Sequence, residues 1–197
     1  MPRSRRSSLS RRGISHQFGV AITALSLAVL NAGCATEQRG FPAVNGIANF
    51  DRVNSHLYRG AQPNSLAVVG LRHRYGIRTI LNLRSTNDEL QAETELAKQN
   101  GIDYKRVPMS GWAMPSSAQM ESALSVINNS PWPVYVHCQY GCDRTGMVVA
   151  CYRIQHDGWS ATAALKEAKI YGMAESEVLM RLFVRNFARR HPSKFCK

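Results

Sequence analysis

The sequence predicts an α/β protein in which a central, mostly parallel sheet is flanked by helices. From residue 57 onward, short apolar strands alternate with helices in units of about 25 residues, which is the rhythm of a helix-covered parallel sheet. Capping residues and glycines mark the ends of the helices. Of the 197 residues, 44% are hydrophobic and 19% are charged, which is sufficient for one packed core.

The predicted elements follow one another in a regular order. Strands are predicted at 57–59, 77–83, 102–107 and 133–137, and helices at 64–75, 88–100, 116–128, 144–156, 160–171 and 175–190. Asn64 or Ser65 is expected to cap the first helix, and Gly76 to end it. The second helix has an acidic first turn, which suits the helix dipole, and Ser116 or Ser117 is expected to cap the third. Ligands of such sheets bind beyond the carboxyl ends of the strands, so the segment after the last strand is the expected position of a site.

Residues 1–34 are predicted to be an export signal. Residues 1–16 are rich in Arg and Ser, residues 18–30 are apolar, and small residues precede Cys34. This order is typical of a secretory signal. The apolar run is shorter than the about 20 residues that a transmembrane helix needs. An uncleaved signal anchor is the alternative interpretation.

The end of this signal resembles a bacterial lipobox, in which Cys34 is acylated. Residues 10–14 (SRRGI) also resemble a twin-arginine export signal. Residues 35–46 are predicted to be a tether, and residues 47–197 the folded domain. We therefore expect an exported bacterial protein in the periplasm, either free or anchored to the membrane by a lipid on Cys34.

The formal net charge of +12 favours anionic partners such as phosphates. Five of the cations belong to the predicted export signal, namely Arg3, Arg5, Arg6, Arg11 and Arg12. No run of Lys and Arg is interleaved with aromatic residues, so nucleic acid is not an expected partner. Arg59 and Arg84, at predicted strand ends, are expected to be surface cations, and the alternative is that they face the pocket.

The motif that carries chemistry follows the last predicted strand, where residues 137–146 read HCQYGCDRTG. A loop between this strand and the next helix directs its backbone N–H groups inward and forms an anion-binding nest. These groups favour the thiolate form of Cys138, which is a good nucleophile toward phosphorus. The guanidinium of Arg144 can hold two phosphoryl oxygens, and Thr145 is expected to donate its hydroxyl to the Cys138 sulfur. The predicted phosphate-binding residues are Gln139, Tyr140, Gly141, Cys142, Asp143 and Arg144.

This segment resembles the Cys-x5-Arg-Thr signature of the cysteine-dependent protein tyrosine phosphatases, in their small dual-specificity branch. Residues 58–63 (YRGAQP) and 76–84 (GIRTILNLR) also look like the front end of bacterial exported phosphatases of this type, and the resemblance covers most of residues 45–197. It implies a dual-specificity phosphatase-like fold and a phosphocysteine intermediate that water hydrolyses without a metal or other cofactor. It also implies that His137 orients the loop. The expected substrates are phosphotyrosine proteins, with phosphoserine, phosphothreonine or other phosphomonoesters as a broader range.

The resemblance leaves the general acid unassigned. The family takes this acid from an Asp on an earlier loop, but the corresponding residues 108–117 (PMSGWAMPSS) contain neither Asp nor Glu. Asp143 is the candidate proton donor, because some similar phosphatases carry Asp-Arg-Thr at this place. The alternative is that Asp143 only orients Arg144 or a water molecule.

The remaining cysteines have several interpretations. In an oxidising compartment, Cys138 has two neighbours in sequence with which a disulfide is conceivable, Cys142 and Cys151. Cys151 and Cys196 are otherwise expected to be structural or free. A zinc site at Cys138 and Cys142 is not predicted, because no second ligand pair appears at zinc spacing.

Two other functions compete with a protein phosphatase. One is a phosphatase of inositol phosphates or phosphoinositides, although such enzymes often carry Lys in the loop and residues 139–143 contain none. The other is a catalytically silent phosphoprotein-binding module, which the missing upstream Asp favours and the presence of Cys138 and Arg144 opposes. A phosphatase assay separates enzyme from binding module, and a substrate panel separates the two kinds of enzyme.

Overall fold

The computed structural model describes residues 39–85 and 89–192. The predicted export signal, Cys34 and Cys196 lie outside the described residues. The elements, in chain order, are β1 (Asp51–Arg52), β2 (Leu57–Gly60), α1 (Ser65–Tyr75), β3 (Thr79–Asn82), α2 (Glu89–Gln99), β4 (Asp103–Arg106), α3 (Ser117–Asn129), β5 (Val134–His137), α4 (Asp143–Asp157), α5 (Ala161–Ile170) and α6 (Val178–Arg190).

The strands form one five-stranded sheet in the order β1-β2-β5-β3-β4. Strands β2, β5, β3 and β4 are parallel to one another, and β1 pairs with β2 in the antiparallel direction. Strand β5 therefore lies at the centre of the sheet between β2 and β3, with its carboxyl end at the edge where ligands of such sheets bind. The predicted fold class is confirmed, and β1 is the one strand of this sheet that the sequence pattern did not indicate.

Helices cover both faces of the sheet. Successive side chains of β5 alternate between the faces, so that Val134 and Val136 pack with the core below α3 to α6, whereas Tyr135 packs with the core below α1 and α2. All four β5 side chains are buried. This burial on both faces fixes the position of the residues that follow β5.

The helix ends follow the predicted capping pattern. The Asn64 side chain accepts a hydrogen bond from the Ala67 N–H, and Gly76 takes the left-handed conformation after α1. Ser116 caps α3 in a capping box whose second partner is Gln119. Among the described residues, no helix is long and apolar enough to cross a membrane.

The described part of the predicted tether lies against the domain. The Phe41 N–H donates to Asn49 Oδ1 at 2.6 Å, and the rings of Phe41 and Tyr171 meet edge to face with centroids 4.9 Å apart. Gly40 has a φ of +80°, and a Cβ there would lie 2.7 Å from the Tyr171 carbonyl oxygen. The backbone at Gly40 thus needs glycine both for its conformation and for its close contact.

Candidate active site

The predicted phosphate-binding loop connects β5 to α4. Cys138 follows the last residue of β5 and is only 2% exposed. Gly141 turns the loop with a φ of +70°, and a Cβ there would lie 2.5 Å from the carbonyl carbon of Gly60. The loop therefore packs backbone to backbone against the end of β2, which a side chain at Gly141 would prevent.

Arg144 lies in the first turn of α4, so the structure brings it and Cys138 into one strand–loop–helix unit, as the sequence predicted. Its Nη1 donates to the Met109 carbonyl at 3.3 Å and connects the loop to residues 108–116. Trp112, which is 90% exposed, belongs to that neighbouring segment, and Tyr140 of the loop is also exposed. These rings are available to a ligand at the surface.

Asp143 is held by two partners at the start of α4. The Arg39 guanidinium donates to both carboxylate oxygens at 3.1 and 2.7 Å, and the Ala174 N–H donates to Oδ1 at 3.0 Å. The hydrogen bond and the charge of Asp143 raise the pKa of Arg39 above its ordinary value, against the effect of burial. Asp143 therefore fastens the start of α4 to residues 39 and 174.

Asn49 supports the same loop from the N-terminal side. Its Nδ2 donates to the carbonyls of Tyr140 and Arg39, both at 2.9 Å, and lies 3.2 Å from Cys142 Sγ. Burial raises the pKa of the Cys142 thiol to about 11. The Cys142 thiol therefore stays protonated near neutral pH and acts as a packed polar group.

The described cysteines are free thiols. Cys138, Cys142 and Cys151 are all buried and unpaired in disulfides. Neither of the disulfides considered for Cys138 is formed. No group of three or more His, Cys, Asp or Glu side chains in residues 39–85 and 89–192 is arranged to hold a metal ion.

His137 joins the loop to a buried carboxylate that sequence reasoning missed. Its Nε2 lies 3.0 Å from Glu93 Oε1, and its Nδ1 lies 3.3 Å from the Cys138 carbonyl oxygen. Glu93 is 5% exposed. Both ring nitrogens thus have oxygen neighbours, which fix the orientation of the imidazole beside the Cys138 backbone.

Three further side chains surround Glu93. Gln62 Nε2 donates to Oε2 at 2.7 Å, the Tyr104 hydroxyl donates at 2.8 Å, and Asn82 Nδ2 donates at 3.2 Å. Burial raises the pKa of Glu93. The adjacent His137 has a larger opposite effect, supported by the hydrogen bonds from Gln62 and Tyr104, so the net pKa of Glu93 is lowered. The sequence signal for an inward-facing Glu93 is helical spacing, because the apolar residues Leu90, Leu96 and Ala97 lie three or four positions from it on α2.

The predicted surface positions of Arg59 and Arg84 are wrong. Arg59 is 1% exposed and Arg84 is 8% exposed. Arg59 alternates with Tyr58 along β2 and faces the same side as the core residue Leu57, which explains its burial. Arg84 Nη1 donates to Gln62 Oε1 at 3.0 Å.

Thr145 is buried in the first turn of α4, but its predicted hydrogen bond is not formed. Within the described part of the chain, its Oγ1 has no hydrogen-bond partner, so it does not donate to the Cys138 sulfur.

Glu177, at the start of α6, is another carboxylate that sequence reasoning missed. Burial and the charge of Asp143 raise the pKa of Glu177 above its usual value, against the opposite effects of Arg39 and Arg144. No motif in the sequence marked this residue.

Comparison with known proteins identifies a family. The model of the tyrosine phosphatase family matches residues 46–194. The dual specificity protein phosphatase TpbA of Pseudomonas aeruginosa is 28% identical over 143 residues, which are 68% of this chain and 60% of that protein. The inositol diphosphatase SIW14 of Saccharomyces cerevisiae is 27% identical over 141 residues, which are 69% of this chain and 50% of that protein. The chain thus spans 60% or less of the length of these curated relatives.

Solved structures agree with this result. The core catalytic domain of SIW14 in complex with citrate matches with a TM-score of 0.67 and 27% identity, covering 74% of this chain and 88% of that one. P. aeruginosa TpbA matches with a TM-score of 0.62 and 26% identity, covering 77% and 91%. The family model spans most of the chain, and the loop that begins at Cys138 after the central strand leads directly to Arg144 in the first turn of α4. The chain therefore belongs to the tyrosine phosphatase family, with a fold of the dual-specificity type.

Proposed function

We propose that the protein hydrolyses phosphomonoesters through a phosphocysteine intermediate. The observation that carries this proposal is the position of Cys138 directly after the central strand, in a short loop that leads into α4, whose first turn carries Arg144. The loop N–H groups and the start of α4 favour anions at this place. In the first step, Cys138 Sγ attacks phosphorus, the bond from phosphorus to the leaving oxygen breaks, and that oxygen takes a proton. In the second step, water attacks phosphorus, which releases phosphate and returns the thiolate.

Arg144 and the backbone of the loop stabilise the transferring phosphoryl group. Charge spreads over its equatorial oxygens during the transfer, and preorganised donors lower the barrier. The planar guanidinium of Arg144 suits two of these oxygens. His137, which Glu93 holds in place, maintains the Cys138 backbone in this arrangement.

The proposed substrates are phosphotyrosine residues of proteins. A TpbA variant has been solved in complex with pTyr and matches this chain with a TM-score of 0.60 and 26% identity. The exposed rings of Tyr140 and Trp112 offer apolar surface for an aromatic leaving group. Phosphoserine and phosphothreonine are a proposed extension of this range. Inositol phosphates are the second candidate class of substrates, because the chain is similar to the inositol diphosphatase SIW14. The absence of Lys from residues 139–143 weighs against this class.

A substrate panel in buffer with EDTA tests this proposal. We expect a phosphotyrosine peptide to be hydrolysed with a higher kcat/KM than a phosphoserine peptide or an inositol pyrophosphate. Hydrolysis of the inositol pyrophosphate alone would refute phosphotyrosine as the substrate and favour inositol phosphates. Binding of the phosphotyrosine peptide without any hydrolysis of the panel would support a binding module and refute the enzyme.

Asp143→Asn is expected to lower kcat/KM about tenfold for both phenyl phosphate and p-nitrophenyl phosphate, because it removes the charge that holds Arg39 and the start of α4. A proton donor at Asp143 would give a different result, since p-nitrophenolate leaves readily without a proton. The loss would then be about 10²–10⁴-fold for phenyl phosphate and small for p-nitrophenyl phosphate. Glu177→Gln is measured beside it, and a loss confined to phenyl phosphate in that variant would place the donor at Glu177.

Export and lipid attachment complete the proposal. The support is the order of residues 1–34, with small residues before Cys34. Cys34→Ser is expected to move the protein from the membrane fraction to the soluble periplasmic fraction of the bacterium that expresses it, while kcat/KM stays the same. An unchanged distribution between the fractions would refute the lipid on Cys34, and retention in the cytoplasm would refute export.

A further inference from the structure

Arg59 lies directly below the phosphate-binding loop. In the register of the sheet it stands beside Val136 of β5, and its side chain lies on the same face of the sheet as Leu57 and Val136. Its Nη2 donates to the Gly141 carbonyl at 3.0 Å. The guanidinium also covers the ring of Tyr171, with its central carbon 3.8 Å from the ring centroid. Arg59 therefore contacts the loop from inside the protein.

The buried guanidinium of Arg59 has few hydrogen-bond partners and no ion-pair partner among the described residues. Its Nε and Nη1 are buried without a hydrogen-bond partner within the described residues, and no carboxylate of those residues forms an ion pair with it. Burial lowers the pKa of Arg59 to about 10, so that the side chain is still a cation at neutral pH. A buried cation without an ion-pair partner is destabilising, and groups with strongly perturbed pKa values cluster at functional sites.

The contact with Gly141 also orients a peptide group of the loop. In a planar trans peptide, the carbonyl and the following N–H point in opposite directions. Since the Gly141 carbonyl faces Arg59, the N–H of Cys142 in the same peptide faces away from Arg59. In a loop that binds phosphate, this is the direction of a donor to the ligand.

We propose that Arg59 is a positioning residue of the phosphate site, which holds the Gly141 peptide and supplies a buried positive charge, without an ion-pair partner among the described side chains, that stabilises an anion bound in the loop. This inference rests on the proposed function, because it requires the loop to bind phosphate. It differs from a packing role in one respect. A packing residue stabilises the ligand-free protein, whereas an uncompensated buried charge destabilises it and stabilises the anion-bound form.

The test compares Arg59→Met and Arg59→Lys with the wild type and with Arg185→Met, a control at an exposed position on α6. Inorganic phosphate is the probe, and its inhibition constant and its effect on Tm are measured for each protein. We expect Arg59→Met to have a ligand-free Tm equal to or above that of the wild type. Its inhibition constant for phosphate should rise about 10- to 100-fold, because a hydrogen bond and a charge that support the anion are lost. The rise of Tm with phosphate should largely disappear, and Arg185→Met should behave as the wild type.

Arg59→Lys keeps the charge and loses the planar fork, so it should show an intermediate inhibition constant. A lower ligand-free Tm in Arg59→Met with an unchanged inhibition constant would overturn the proposal and leave a packing role. If Arg59→Met does not fold, Arg59→Lys replaces it in the test. A lower ligand-free Tm with an unchanged inhibition constant in Arg59→Lys would then overturn the proposal. A wild-type protein that neither hydrolyses phosphomonoesters nor binds phosphate would refute the proposed function first, and this inference with it.

Discussion

Replacing Cys138 with Ser is expected to abolish turnover, with a loss in kcat on the order of 10⁶-fold. A serine hydroxyl at this position is a much weaker nucleophile than a thiolate, because it stays protonated near neutral pH. Binding should survive, since Arg144 and the backbone of the loop are unchanged. The measurements are kcat for p-nitrophenyl phosphate and the affinity for a phosphotyrosine peptide.

Cys151→Ser is the matched control for this experiment. Cys151 is also a buried free thiol, but it lies within α4 beyond the loop. At a temperature well below its Tm, the Cys151→Ser protein should keep kcat close to the wild-type value. Substantial turnover in Cys138→Ser would refute the phosphocysteine mechanism, whereas loss of both binding and turnover would indicate that the loop has changed shape.

Arg144→Lys is expected to lower kcat/KM about 10³-fold although the charge is kept. Lys supplies a point charge on a flexible chain, whereas the Arg fork matches two phosphoryl oxygens at once. Cationic groups that stabilise a transferring phosphoryl group contribute about 10³–10⁵-fold in other enzymes. The Arg144 guanidinium also donates to the Met109 carbonyl of the neighbouring segment. Loss of this contact should alter that segment, so we expect a change in KM in addition to the change in kcat.

Arg185→Lys is the control for this substitution, because Arg185 is exposed on α6. Both substitutions remove the same guanidinium and add the same ammonium, so any general effect of this exchange appears in both. The prediction fails if Arg144→Lys keeps more than about a tenth of the wild-type kcat/KM, since that would limit the contribution of the fork to about 1.4 kcal/mol.

The sequence was sufficient to predict the parts of the fold that depend on local pattern. The alternation of apolar strands with capped helices predicted β2 to β5 and all six helices, because periodicity and capping are properties of neighbouring residues. Strand β1 has only two residues and is too short for any periodicity. The loop from Cys138 to Arg144 was predictable for a similar reason, since its nucleophile, its glycine and its arginine are close in sequence.

The supports of that loop were not predictable in the same way. Arg39 reaches Asp143 over 104 residues of sequence, and Glu93 reaches His137 from a helix on the other side of the sheet. Arg59 was misjudged because a charged residue at a strand end is usually exposed. Only the three-dimensional packing shows that such side chains face a common loop.

The close approach of Gly60 and Gly141 has a consequence for protein engineering. The backbone at the end of β2 leaves no room for a Cβ at Gly141, and a Cβ at Gly60 would lie 2.4 Å from the Tyr135 hydroxyl oxygen. The shape of the loop thus depends on a strand that lies some 80 residues earlier in the chain. A graft of the ten residues HCQYGCDRTG onto another parallel sheet would transfer the reactive side chains. It would not transfer the backbone at the end of β2, against which the loop is shaped. The signature is a portable unit only together with a neighbouring strand that ends in glycine.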